Sequence, residues 1–174
     1  MVRAMLVPPL RLRHATPDDL PRLTDIYNAS IPGGMATADE RPLRPDERAG
    51  WFRAYAPERN PLYVLERDAR VDAYLGLRPW SELPGYRVTA EVSVYVAPEA
   101  RRAGLARTLL EHALAEAPRL GLRRLVARVF GHNEPSLRLF ERHGFERWGL
   151  MPGVVELGGV ARDVVMLGRA VDAP

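Results

Sequence analysis

Apolar positions along the chain follow two spacings, one typical of strands and the other typical of helices. β-Branched or alternating stretches predict strands over residues 10–14, 62–66, 71–77, 88–96, 125–130, 145–150 and 162–169. Apolar residues three or four positions apart predict a helix that begins after Thr16 and three more over residues 46–55, 105–118 and 134–143. This order predicts a mixed α/β (α+β) fold with β-α-β crossovers in its second half, in one domain that spans residues 1–174. Residues 1–8 are predicted to form a flexible tail.

Two segments rich in glycine and proline interrupt the regular pattern. The segment ASIPGGMATADERPLRP covers residues 29–45, and RPWSELPGYR covers residues 78–87. The first of these loops is long enough to be functional or mobile.

Composition narrows the function classes. Cysteine is absent, which excludes disulfides, thiolate metal ligands and a cysteine-bound acyl intermediate. All 25 basic residues are arginine, but they alternate with acidic residues and the net charge is only +3, which argues against nucleic acid as a partner. Four histidines lack metal-site spacing, so no metal is predicted: His14, His112, His132 and His143.

No apolar run approaches the roughly 18 residues that a membrane span requires. The apolar stretch near the first residue is also too short for a signal peptide. The sequence therefore predicts a cytoplasmic protein with no membrane partner.

The boundary between the strand at 92–96 and the following helix carries an unusual group of residues. Arg101, Arg102 and Gly104 lie between Pro98 and the first apolar position of the helix. A helix N-terminus has unpaired backbone N–H groups and a partial positive charge, so it can hold an anion. The chain has no lysine for a Walker loop and no G-x-G-x-x-G set for a dinucleotide. An ordinary strand-to-helix turn with solvated arginines is the alternative.

Two motifs in this region resemble those of the GNAT superfamily of N-acetyltransferases. SVYVAPEARRAGLARTLLEHAL is followed by NEPSLRLFERHGF, in the order and at the spacing found in that family. The resemblance implies a GNAT fold, with a mixed sheet of about six to seven strands flanked by about four helices. It also implies acetyl-CoA as co-substrate, with the pantetheine arm along the backbone of Val94, Tyr95 and Val96, and with Asn133 and Ser136 completing the cofactor site. The pyrophosphate loop would comprise Arg101, Arg102, Ala103, Gly104, Leu105, Ala106 and Arg107.

Within the superfamily, GLRPW, GYRVTAEVSVYV and GGVARDVVML resemble the phosphinothricin acetyltransferases. Ala161-Arg162 departs from that group, which has a tryptophan before the late aspartate. The resemblance implies acetyl transfer to the primary amine of an amino acid or analogue, such as phosphinothricin, methionine sulfoximine or methionine sulfone. It implies Glu91 as the catalytic base and Arg78, Thr37 and Trp80 as substrate-binding residues.

The general acid is not assigned. Many superfamily members place a tyrosine where this chain has Phe140, and Tyr95 and Ser93 are the remaining candidates. A CoA thiol with a pKa of about 8.5 can also leave without a protein acid.

Other functions stay open at this point. Within the same class they are N-terminal acetylation of a protein and acetylation of a polyamine or antibiotic amine. A non-catalytic acyl-CoA-binding regulatory domain is an alternative from another class. Related enzymes often form homodimers, and in such a dimer the two long loops would complete each other's acceptor sites.

Overall fold

A mixed seven-stranded sheet organises residues 9–171, which the computed structural model describes. Its strands lie in the order β1-β2-β3-β4-β5-β7-β6. The strands are β1 (Arg11–His14), β2 (Leu62–Arg67), β3 (Arg70–Pro79), β4 (Thr89–Val96), β5 (Arg124–Phe130), β6 (Glu146–Leu157) and β7 (Val160–Ala170). The α-helices in this range are α1 (Leu20–Asn28), α2 (Pro45–Arg53), α3 (Leu105–Glu116) and α4 (Glu134–Arg142). The predicted fold class is confirmed, whereas the predicted tail at residues 1–8 lies outside the described residues.

Local signals explain where several elements begin and turn. Asp68 and Ala69 both have positive φ angles, of 50° and 58°, and close the β2–β3 hairpin in the tight turn that the sequence predicts. Before α1, the Asp19 carboxylate accepts hydrogen bonds from the Thr16 backbone N–H (2.7 Å) and hydroxyl (3.1 Å). Pro17–Asp19 forms a 3₁₀ turn, so α1 itself begins at Leu20, later than predicted.

The predicted lengths of the last two strands need correction. Strands β6 and β7 are longer than predicted. Their pairing continues past an irregularity between Met151 and Val155 and extends as far as the tight turn at Gly158 and Gly159. The predicted β-α-β crossovers form in this half, from β4 through α3 to β5 and from β5 through α4 to β6, which is parallel to β5 with one strand between them. Strand β7 inserts between β5 and β6 and is antiparallel to both.

Helices cover both faces of the sheet. The larger apolar core packs α3 and α4 against one face, and its α3 residues include Leu105, Leu109 and Ala113. A smaller core packs α1 and α2 against the other face around Leu23 and Tyr74. None of the described helices combines the length and apolar character that crossing a bilayer requires.

Strands β4 and β5 separate near the middle of the sheet. Their parallel pairing is limited to residues 89–91 of β4 and residues 124–126 of β5. Beyond that point β5 pairs with β7, while β4 continues to Val96 and pairs with β3 alone. The edge of β4 that faces β5 is therefore unpaired over 92–96, and its backbone groups are open to another hydrogen-bonding partner.

Candidate active site

Two cavities meet where β4 and β5 separate. The larger cavity, of about 510 Å³, lies between loop residues 35–38, β4, α4 and the β6–β7 hairpin. The smaller cavity, of about 350 Å³, lies on the side of α1 and α2. Glu91, Ser93, Tyr95 and Arg128 line both cavities. These four residues therefore mark the point at which molecules in the two cavities could meet.

The beginning of α3 has the backbone of an anion site. Gly104 adopts the left-handed conformation (φ 76°) directly before the helix, and Arg102 is also left-handed (φ 63°). The first hydrogen bond back into the helix runs from the Thr108 N–H to the Gly104 carbonyl, at 3.0 Å. The N–H groups of residues 105–107 have no partner within the helix, as at every helix N-terminus.

The side chains of this predicted pyrophosphate loop point in different directions. Leu105 is buried in the core, while Arg101 and Arg102 are exposed and form no ion pair within residues 9–171. Arg107 is bound to Glu111, with 2.8 Å between Nε and Oε1. The loop lies outside both cavities, at the far end of the unpaired β4 edge.

Other predicted cofactor residues lie together at the larger cavity. Val94, Tyr95, Asn133 and Ser136 line it, whereas Val96 packs against the core on the α3 side. The Asn133 side chain caps α4, because its Oδ1 accepts the Ser136 N–H at 3.2 Å. Its Nδ2 donates to a loop carbonyl, that of Met35, at 2.7 Å.

The loop between α1 and α2 is held over the larger cavity by further hydrogen bonds. The His132 Nε2 lies 2.8 Å from the Gly34 carbonyl oxygen, so this ring nitrogen carries the hydrogen. The Tyr95 hydroxyl donates to the Ala36 carbonyl at 3.4 Å. The loop is thereby tied to β4 and to the start of α4.

Glu91 does not lie on a solvated strand face. Its side chain is only 15% exposed, and Arg128 binds it in a two-pronged contact, with Nε–Oε1 at 2.8 Å and Nη2–Oε2 at 2.9 Å. This bond raises the pKa of Arg128. Arg78, directly opposite Glu91 on β3, places its Nη2 3.5 Å from Oε2. A carboxylate between two guanidinium groups thus stands at the junction of the cavities.

The two candidate general acids, Ser93 and Tyr95, both line the cavities. The Tyr95 ring packs against the rings of Tyr27 and Tyr74, with centroids 5.3 Å and 5.2 Å away. Burial raises the pKa of the Tyr95 hydroxyl well above its usual range. Tyr95 thus keeps its proton and is a poor source of a proton for a thiolate.

The predicted substrate residues Thr37 and Trp80 occupy different surroundings. Thr37 lines the larger cavity but is buried, and its hydroxyl lies 2.5 Å from the Tyr27 hydroxyl and accepts the Asp39 N–H at 3.1 Å. Trp80 lines neither cavity. Its ring centroid is 6.0 Å from the guanidinium carbon of Arg128.

Two arginines of the site were not predicted from the sequence. Arg128 interrupts the apolar strand RLVARVF, which is the signal that could have identified it. Arg48 is buried in α2, donates to the Leu23 carbonyl at 3.1 Å, and lines the smaller cavity. Its guanidinium carbon lies 3.8 Å from the Trp51 ring centroid and 4.3 Å from that of Tyr27. No sequence signal distinguishes Arg48 from the surface arginines.

Comparison with known proteins places this site in a family. Residues 20–145, which include β4, α3 and α4, match the sequence profile described as the Acetyltransferase (GNAT) family. The chain belongs to this family. The resemblance of the two motifs is therefore confirmed, and the chain is an acetyltransferase.

Three similar proteins align with most of the length of the GNAT acetyltransferase. The Bacillus subtilis protein YwnH, provisionally named a phosphinothricin acetyltransferase, is 44% identical over 161 residues, which cover 92% of this chain and 98% of YwnH. The L-methionine sulfoximine/L-methionine sulfone acetyltransferase of Salmonella typhimurium is 33% identical over 145 residues, 83% of this chain and 85% of the relative. A crystal structure of a GNAT superfamily phosphinothricin acetyltransferase from Sinorhizobium meliloti, in complex with acetyl-CoA, has a TM-score of 0.87 at 30% identity, and the match covers 94% of this chain and 89% of that one.

Proposed function

We propose that the GNAT acetyltransferase transfers the acetyl group of acetyl-CoA to the primary amine of an amino acid or close analogue. Phosphinothricin, methionine sulfoximine and methionine sulfone are the proposed analogues, because similar proteins are named for them. The observation that carries this proposal is the position of Glu91, a carboxylate at the junction of two cavities. Two adjoining cavities suit direct transfer between two reactants bound at the same time.

Acetyl-CoA fits the open edge of β4 and the beginning of α3. The amide groups of a pantetheine arm can bond to the unpaired backbone over 92–96 as another strand would. The pyrophosphate would then reach the backbone N–H groups of residues 102–107, where Gly104 and Ala106 allow a close approach. Asn133 and Ser136 would contact the arm from the start of α4.

The proposed reaction needs one base. The acceptor's ammonium group, with a pKa of about 8 when it is an α-amine, gives one proton to Glu91, and the neutral nitrogen attacks the thioester carbon. The C–S bond breaks, its electron pair leaves with the CoA sulfur as a thiolate, and the second nitrogen proton passes to solvent, which leaves a neutral amide. Backbone N–H groups of β4 stabilise the negative charge on the thioester oxygen. The thiolate is released without a protein acid, since Tyr95 holds its proton more tightly than a thiol does.

Charge in the smaller cavity favours an acceptor with an anionic group. Arg48, Arg78 and Arg128 line it, against the two carboxylates of Glu47 and Glu91. Arg78 would take part in binding the acceptor's carboxylate or phosphinate, and Thr37 and Trp80 are proposed as further acceptor contacts. A polyamine or aminoglycoside, which carries several positive charges, would be repelled by this excess of arginines.

A panel of acceptors tests the proposed function. CoA release from acetyl-CoA is measured with a thiol-reactive dye, to which this cysteine-free chain contributes no background. We expect one or more of phosphinothricin, methionine sulfoximine and methionine sulfone to accelerate release by at least about tenfold over polyamines, an aminoglycoside and N-terminal peptides. Turnover of a polyamine or peptide alone would contradict the amino-acid acceptor. Acetyl-CoA binding without turnover of any amine would favour the regulatory domain.

We also propose a homodimer that forms through β6. This edge strand exposes the apolar side chains of Trp148, Leu150 and Val154, at 48%, 60% and 55% of their surface. Apolar side chains on an exposed edge strand suit a protein partner. The β6–β7 hairpin also lines the larger cavity, so pairing at β6 would stiffen one wall of the site.

Replacing Leu150 with glutamate should therefore convert the dimer into a monomer, because a charge would be buried at the interface. Light scattering after size exclusion measures the mass. Leu10→Glu, at the opposite edge of the sheet, is the matched control and should remain dimeric. A wild-type monomer, or a dimer that persists in Leu150→Glu, would contradict this interface.

A cytoplasmic location and catalysis without a metal complete the proposal. Acetyl-CoA is a cytoplasmic metabolite, which supports that location. Within residues 9–171 no three His, Asp or Glu side chains are grouped so that they could hold a metal ion. The proposed chemistry needs no metal, since the base and the backbone donors come from the chain itself.

A further inference from the structure

Arg128 occupies the point at which β4 and β5 part. The last paired residues of the two strands are Glu91 and Val126. Arg128 comes two positions after Val126, so it lies on the same face of the sheet as Glu91. There its guanidinium occupies both oxygens of the Glu91 carboxylate, at 2.8 Å and 2.9 Å. The Arg128 guanidinium thus covers the group proposed to receive the amine proton.

This cluster carries one positive charge more than it can neutralise. Two guanidinium groups, of Arg78 and Arg128, contact the single carboxylate of Glu91. One further anionic group would balance the cluster, and the smaller cavity provides space for it beside the three residues. The cluster is therefore built to receive one carboxylate rather than a neutral group.

Arg128 can change partners at low cost. Its side chain is 48% exposed, so it can turn away from Glu91 without leaving the core, and Arg78 still contacts the Glu91 carboxylate. Arg48 differs, because it is 5% exposed and lies against the rings of Tyr27 and Trp51. A carboxylate on the acceptor offers Arg128 the same two-pronged contact that Glu91 offers. The exchange thus replaces one bidentate ion pair with another.

We propose, on the basis of the function proposed above, that Arg128 determines the specificity of the acceptor site by leaving Glu91 to bind the acceptor's carboxylate. The exchange frees the Glu91 oxygens to receive the amine proton. An α-amine and its carboxylate are attached to the same carbon, so a carboxylate held by Arg128 brings the amine next to Glu91. An acceptor without a carboxylate leaves the Arg128–Glu91 pair closed and is acetylated slowly.

Matched acceptors test this role. Methionine sulfone and its carboxamide differ only in the carboxylate, and both are assayed with wild type, Arg128→Met and Arg128→Lys. We expect Arg128→Met to lower kcat/KM for methionine sulfone by about 10- to 100-fold, mainly through KM, since a charged hydrogen-bond pair is lost. The carboxamide should lose no activity in Arg128→Met and should react faster than with wild type, because the Glu91 oxygens are uncovered. Arg128→Lys should recover part of the loss for methionine sulfone. Arg119→Met is the control, because Arg119 pairs with Glu116 at the C-terminal end of α3 and lines neither cavity.

Binding provides a readout that does not depend on turnover. Calorimetric titration of methionine sulfone in the presence of CoA should show the same selective loss in Arg128→Met, and the carboxamide should bind wild type and variant equally. Equal loss for both acceptors, or no loss for either, would overturn the role of Arg128 while leaving the acetyltransferase function intact. If Arg128→Met loses binding of methionine sulfone alone but wild type acetylates neither acceptor, the role of Arg128 in binding is supported and the proposed function is rejected.

Discussion

Glu91→Gln should lower kcat for the amino-acid acceptor by about 10²- to 10³-fold, as expected for the loss of a general base. Glutamine has nearly the same shape and can still accept a hydrogen bond from Arg128, but it cannot take a proton from the amine. The Kd for acetyl-CoA should be unchanged, because the proposed cofactor contacts come from the β4 backbone and from α3. Steady-state CoA release and calorimetric titration with acetyl-CoA measure the two quantities.

The pH dependence makes this prediction sharper. A base matters most while the amine is protonated, so the defect of Glu91→Gln should shrink as pH rises above about 9. Glu116→Gln, on α3 beside Arg119, is the matched control and should behave as wild type. Unchanged kcat in Glu91→Gln at neutral pH would show that another group or solvent takes the proton.

Gly104→Ala should raise the Kd for acetyl-CoA by about 10- to 30-fold. The φ of 76° at Gly104 costs an L-residue about 1–2 kcal/mol, and the added methyl group lies where the pyrophosphate would approach the helix. Relaxing the strain would also turn the N–H groups of residues 105–107 away from the ligand. At saturating acetyl-CoA, kcat should be close to that of wild type. Titration calorimetry gives the Kd directly.

Gly121→Ala separates backbone strain from ligand binding. Gly121 has nearly the same φ, 75°, and no atom would lie within 4 Å of an added Cβ at either glycine. Both variants should lose similar thermal stability, but only Gly104→Ala should lose affinity for acetyl-CoA. An equal change in Kd for both variants, or none for either, would contradict the assignment of the pyrophosphate to α3.

Local signals in the sequence predict part of this fold correctly. A β-branched strand, Pro98, Gly104 and an apolar helical stripe are contiguous, so the β4–α3 boundary is predicted within a few residues. The Asp68–Ala69 turn is also local, since the hairpin depends on two residues between alternating strands. These elements depend little on the rest of the fold, which is why they can be predicted before it.

The contacts that give the site its chemistry are not local. Glu91 and Arg128 are 37 positions apart and meet only because β4 and β5 pair in parallel and then separate. The amide contact of Asn133 with Met35 spans 98 positions and depends on how the α1–α2 loop folds back. Strand alternation shows which face Glu91 occupies, but its partners depend on sheet order, which a single sequence does not specify.

The length of β6 shows a different limit. Pro152 and Gly153 resemble loop residues, and the prediction therefore ends the strand at 150. The structure accommodates them in an irregularity between Met151 and Val155, after which pairing with β7 resumes. Edge strands tolerate proline and such bulges because only one side must pair.

Identification of the product tests the central claim most directly. Wild type and Glu91→Gln are incubated with acetyl-CoA and methionine sulfone, and mass spectrometry measures the N-acetylated product against the CoA released. The account predicts one acetylated amine for each CoA released by wild type, and a rate lower by about 10²- to 10³-fold for Glu91→Gln. CoA release without an acetylated amine, or equal product from both proteins, would contradict direct transfer with Glu91 as the base.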